Sequence, residues 1–155
     1  MEWHPLMMQS STAIEAARHF LSVVWDGPVP TDAVLTAALD RLIAAYHDTP
    51  DVGPTNYDVD PPRESNSAFF HQVGARFAAY GFYALADPID EPHTAMGMGD
   101  AIDDIGDITL DMRDVIWLAD NIGPDDAHWS FRLQFFHWGT HARDLVRYLH
   151  GRQFG

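Results

Sequence analysis

His137 and His141 lie four residues apart, so a helix that contains them presents both imidazoles on one turn, the spacing used to grip zinc or another transition metal. They belong to a longer stripe of Gln134, His137, His141, Asp144 and Tyr148, at alternating three- and four-residue steps along one side of a helix. Asp144 is the carboxylate nearest to hand as a third ligand. A second stripe precedes it, made of Asp100, Asp104, Asp107, Asp111 and Asp114 at the same kind of spacing. Aspartate is a poor helix former, and like charges at these spacings each cost a helix about 0.2–0.5 kcal/mol, so such a face calls for cations. The ordinary answer is a solvated acidic face relieved by arginines. The sharper answer is a divalent-metal site formed by His137, His141 and Asp144 with Asp104 and Asp107 from the other stripe, its ion activating water for hydrolysis. Should the two stripes meet without metal, the carboxylates would favour imidazolium and raise the histidine pKa values.

Both stripes need helices to carry them, and the rest of the chain predicts an all-α protein. Its 155 residues and 17.4 kDa suit one domain, and 46% hydrophobic with 21% charged residues is the composition of a chain with a real core. Helical periodicity predicts five helices, at about 11–25, 31–48, 66–86, 100–121 and 126–150, in an antiparallel bundle. Thr12 and Glu15 have the spacing of a capping box, and Asp26-Gly27-Pro28 stops the run behind them. Residues 49–65, with four prolines, read as a loop. Gly123-Pro124-Asp125-Asp126 reads as a helix stop followed at once by a new start capped by aspartate, which makes the last two helices antiparallel neighbours.

Absences narrow the chemistry. With no cysteine, the chain has no disulfide, thiolate nucleophile, iron–sulfur cluster or cysteine-bound zinc. Every base is an arginine, so lysine Schiff bases, pyridoxal phosphate anchoring and a P-loop are excluded too. No Gly-x-Ser-x-Gly motif is present. A net charge of −14 and a pI near 4.7 disfavour nucleic acid and anionic membranes as partners. The opening residues carry no basic region followed by an apolar core, and no apolar run approaches the roughly 18 residues a membrane span needs, so a cytoplasmic location is expected.

The order Asp103-Asp104-Ile105-Gly106-Asp107-Ile108, then His137-Trp138-Gly139-Thr140-His141-Ala142-Arg143-Asp144-Leu145 and Leu149-His150, resembles the bacterial domain-of-unknown-function family 5063. The resemblance spans about residues 82–150 and implies a helical fold with no assigned activity. Thr109 stands where that pattern has an aromatic, and Phe131 where it has a second tryptophan.

Two functions from different classes follow. The leading expectation is a non-enzymatic acidic module that binds a protein partner, including a second copy of itself through Trp129 and Phe136, which lie off the core stripe of the last helix. The alternative is a divalent-metal-dependent hydrolase or phosphohydrolase built on His137, His141 and the Asp100–Asp114 stripe.

Overall fold

The computed structural model describes residues 11–155, and the opening segment read above for targeting signals lies outside them. Six α-helices and a short hairpin are found among the described residues: α1 (Thr12–Trp25), α2 (Asp32–His47), α3 (Ser67–Arg76), β1 (Phe82–Leu85), β2 (Gly97–Asp100), α4 (Ala101–Asn121), α5 (Pro124–Leu133) and α6 (Thr140–Phe154). A π-helical turn, Phe135–Gly139, joins the last two. The architecture is the expected helical bundle. Helices α1, α2, α6 and α4 each pack on the next around a core that includes Phe20, Leu35, Leu39, Ile105, Trp138 and Leu145, while α3 covers the outside of α4. No helix of the described residues is long and apolar enough to cross a membrane.

Local chemistry explains the helix starts. Ser11, rather than Thr12, caps α1, its Oγ accepting from the Ile14 amide at 3.1 Å. Thr31, Asn66 and Asp100 cap α2, α3 and α4 in the same way. Gly123 precedes Pro124 at the head of α5 with φ 156° and gives no side-chain cap. The aspartate cap expected from Asp125-Asp126 is therefore not formed; Asp126 is buried and accepts from the Thr55 amide at 3.0 Å and hydroxyl at 2.8 Å, pinning the proline-rich loop to α5.

Two expected helices are corrected. The helix placed over 66–86 ends at Arg76, and Phe82–Leu85 forms a strand paired antiparallel with Gly97–Asp100 in the register Phe82↔Asp100 and Tyr83↔Gly99. A Cβ at Gly99 would sit 2.2 Å from the Tyr83 ring, so glycine there lets the tyrosine cross its partner strand. The helix placed over 126–150 is two α-helices with the wider π turn between them, and α6 continues to Phe154. Thr109 and Phe131 are both well packed: Thr109 is buried and accepts from Trp25 Nε1 at 3.2 Å, and Phe131 packs on Trp138 with ring centroids 4.6 Å apart.

Gly139 makes the π turn possible. A Cβ there would come within 2.5 Å of the Phe135 ring, which is held by stacking on Tyr46 at 3.7 Å and by packing against Trp138 at 4.8 Å. Alanine is the better helix former by about 1 kcal/mol, so propensity and packing predict opposite signs for Gly139→Ala. Packing should win, with a loss of about 1–3 kcal/mol in urea unfolding. A gain in stability would show that the aromatic stack yields.

Candidate metal centre

The acidic stripe of α4 faces the histidine stripe across the interface with the π turn and α6, the two segments running antiparallel. Gln134 reaches Asp114 at 3.4 Å, His137 meets Asp111, and His141 meets both Asp104 and Asp107. The expectation of a solvated acidic face does not hold for Asp104, Asp111 and Asp114, which are buried. One cation from elsewhere in the chain neutralises the last two. Arg63, in the proline-rich loop, donates from Nη2 to Asp111 Oδ1 at 2.6 Å and to Asp114 Oδ2 at 2.8 Å.

Each histidine is held by a buried carboxylate through Nδ1. His137 Nδ1 lies 2.7 Å from Asp111 Oδ2, and Asp111 is 1% exposed. His141 Nδ1 lies 2.7 Å from Asp104 Oδ1, whose other oxygen accepts from the Tyr83 hydroxyl. An imidazole whose Nδ1–H is bound to a carboxylate keeps its Nε2 lone pair for a metal, and such a carboxylate also fixes the ring's orientation and raises its basicity. The rings stand 4.8 Å apart at 84° to each other.

Asp107 completes the group. Among the described residues, Asp107, His137 and His141 each offer a ligand atom, all within 4.8 Å of one another. Asp107 Oδ2 is 3.2 Å from His141 Nε2, close to the ~3.3 Å edge of a tetrahedron with bonds of about 2.0–2.1 Å. The three side chains are 28%, 35% and 27% exposed, so the cluster opens to solvent on one side. Two expected ligands sit just outside it. Both oxygens of Asp104 are occupied by His141 and Tyr83, and Asp144 lines a neighbouring cavity.

Electrostatics at the cluster follow from crowding negative charge around one ring. Burial works to lower the His141 pKa, but the hydrogen bond and charge of Asp104, with the charges of Asp107 and Asp144, outweigh it and raise the pKa above its ordinary value. Burial raises the Asp107 carboxyl, against the pull of His141 and His137. Asp144 is raised by burial and then by Asp104.

Sequence periodicity placed the histidines and aspartates but missed Arg63, Tyr83 and the part played by Asp111 as the anchor of His137. Arg63 belongs to a loop with no periodicity, and the only hint was the need of the acidic stripe for cations. Tyr83 was hidden by reading its strand as helix.

No family model matches the chain, and no curated protein matches it. Among solved structures it is similar to the crystal structure of protein BF1032 from Bacteroides fragilis, a structural-genomics target, with a TM-score of 0.63 and 17% identity over 92% of this chain and 93% of that one. That likeness is one of fold.

The pKa directions fix two signs for the metal-free protein. A raised His141 stabilises the fold fully below its unfolded value of about 6.5 and loses that contribution as pH rises through its folded value. The gap in urea midpoint between wild type and His141→Gln should therefore narrow as pH increases, and a constant gap from about pH 5.5 to 8.5 would contradict the charged ring. For Asp107 the folded pKa is also raised, but in an acid this means that the ionised form is the disfavoured one. Asp107→Asn should leave the metal-free protein at least as stable at neutral pH, and a clear loss in the same urea experiment would make Asp107 a structural partner of His141.

Proposed function

We propose that the protein holds one divalent transition-metal ion through Nε2 of His137, Nε2 of His141 and the carboxylate of Asp107, and that its chemistry is metal-assisted hydrolysis. The observation that carries this reading is the pair of buried carboxylates, Asp111 and Asp104, each fixing one histidine through Nδ1, with His141 Nε2 at 3.2 Å from Asp107 and ligand atoms of all three side chains within 4.8 Å of one another. Three protein ligands leave a coordination position for water, whose pKa a zinc ion lowers to about 7, and the same open position admits an ester or phosphoester oxygen. The resemblance to family 5063 belongs to this reading as well, since its His-Trp-Gly-x-His helix contains both ligand histidines and Gly139. A cytoplasmic location, where a site without cysteine ligands competes for metal through nitrogen and oxygen donors, is part of the same proposal.

A second reading, an interaction module, is favoured by one observation. Leu133 and Phe136 are 54% and 78% exposed at the entry to the π turn. Trp129, expected to share that surface, is half-buried with its ring edge-on to Tyr57 at 6.1 Å. A homodimer would therefore rest on Leu133 and Phe136, and sedimentation of wild type against Phe136→Ser decides it: self-association lost in the variant supports the dimer, and a wild-type monomer at high micromolar concentration rejects it.

Isothermal titration with zinc, manganese and magnesium tests the metal. Zinc should bind wild type with one-to-one stoichiometry, and His137→Ala combined with His141→Ala should abolish that binding. Asp111→Asn, which touches no metal, should weaken zinc by about 10–100-fold because it frees the His137 ring. Zinc at a hundredfold excess over Kd should stabilise the fold by about 2.7 kcal/mol. Equal, weak binding by wild type and the double variant would leave the histidines as structural partners of acids.

A further inference from the structure

A cavity of about 760 Å³ opens between the β hairpin and the end of α6, within the ~300–1,000 Å³ range of small-molecule sites. Its apolar walls include Tyr83 and Leu85 from the hairpin and Tyr148 and Phe154 from α6, and Phe154 is 75% exposed. Two arginines also line it. Arg152 is already committed, donating to Asp32 at 2.9 Å and lying over the Tyr80 ring at 4.8 Å. Arg147 has no hydrogen bond, ion pair or aromatic partner among the described residues, although Asp144 precedes it by one turn.

A free guanidinium is unusual in this chain, whose 23 acids outnumber 9 bases. Arg41 apart, the other arginines are engaged by carboxylates, backbone carbonyls or aromatic rings. Arg41 does not line this cavity, so Arg147 is the cation that it leaves available to a ligand. We propose that this cavity binds a small aromatic oxyanion, its ring against Tyr83, Tyr148 and Phe154 and its carboxylate or phosphate on Arg147. A planar guanidinium favours such groups because it donates two parallel hydrogen bonds to them.

The cavity adjoins the proposed metal centre through one shared side chain. The hydroxyl of Tyr83, whose ring lines the cavity, donates to Asp104, which holds His141. A ligand seated between Arg147 and Tyr83 therefore lies against the side chain that fixes the Asp104–His141 pair, which extends the proposal to aromatic oxyanions as the substrate or product class of that centre. This last clause rests on the metal reading, whereas the binding itself stands on the cavity and Arg147 alone.

Titration of phenyl phosphate, benzoate and the neutral control benzyl alcohol into metal-free protein, followed by amide NMR, tests the binding. Saturable shifts should cluster at Tyr83–Ala86 and across residues 144–155. Arg147→Gln should weaken the oxyanions by about tenfold or more and leave benzyl alcohol nearly unchanged. The tighter of the two oxyanions identifies the head group. Arg147 is exposed and has no partner among the described residues, so its substitution should preserve the fold, which the NMR spectrum itself verifies. No saturable shift with either oxyanion, or equal affinity in Arg147→Gln, overturns the proposal. Repeating the titration with zinc, on wild type and on His137→Ala combined with His141→Ala, tests the connection separately: tightening by zinc in wild type alone supports it, and equal affinities with and without zinc overturn the substrate clause while leaving the cavity as a ligand site.

Discussion

An ionised carboxylate stripped of water and left unpaired costs several kcal/mol, so Asp111, 1% exposed in a helix interface, is tolerable only where both of its oxygens are met. Arg63 meets one and His137 the other. Much of the molecule is arranged around that requirement. The proline-rich loop must return to the middle of α4, opposite Gln134 at the end of α5, to deliver Arg63, and the bonds from Thr55 to Asp126 secure the same loop earlier in the chain. The π turn must place residue 137 opposite residue 111, which sets the register of the last segment on α4. The His137 ring is then oriented by the demands of a buried charge, whatever else it goes on to do.

The π turn reconciles that register with the core. Helix α5 ends at Leu133, where the Gln134 amide reaches back to the Ser130 carbonyl, and buried Trp138 donates Nε1–H to the Phe131 carbonyl at 2.9 Å. One side chain thereby fills the core and bonds to the last turn of the helix. Its neighbours His137 and Gly139 face other constraints, the first drawn to Asp111 and the second making room for Phe135. π turns are rare and recur at functional sites. Here the turn holds His137, and His141 follows two residues beyond it in α6.

Helical face arithmetic found both stripes because it depends only on spacing, and α4, expected over about 100–121, is observed at Ala101–Asn121. The bundle and its antiparallel final pair were legible for the same reason. The hairpin was not. Phe77 and Tyr80 continue the apolar spacing of α3, and nothing local shows that Tyr83 will pair with Gly99 across a loop and bond to Asp104. The expectation of a solvated acidic face failed on a long-range fact, since Arg63 lies 48 residues from Asp111 in the chain. The π turn was invisible because Phe135–Gly139 has good helical spacing, and only the stacking of Phe135 on Tyr46 shows why the turn widens there. Spacing shows which side chains share a face, while the partner of that face is settled by contacts between distant segments.

Proton and metal are alternative answers to one electrostatic problem at His141. Asp104 lies on its Nδ1 side and Asp107 on its Nε2 side, and the charge of Asp144 acts on it as well, so the ring's surroundings demand positive charge. At low pH a proton on the imidazole answers that demand with a single charge, and Asp107 keeps a carboxyl that burial pushes toward its neutral form. As pH rises through the folded value of His141 the proton leaves, and the demand returns in full. A divalent ion would then supply two charges at the Nε2 side without disturbing the Nδ1 bond to Asp104, and would favour the ionised form of Asp107 by binding it. Metal affinity at such a site must grow with pH over the range in which the metal-free protein loses the stabilisation of its imidazolium. A His141 serving only as a structural partner of acids would show the second half of that behaviour without the first.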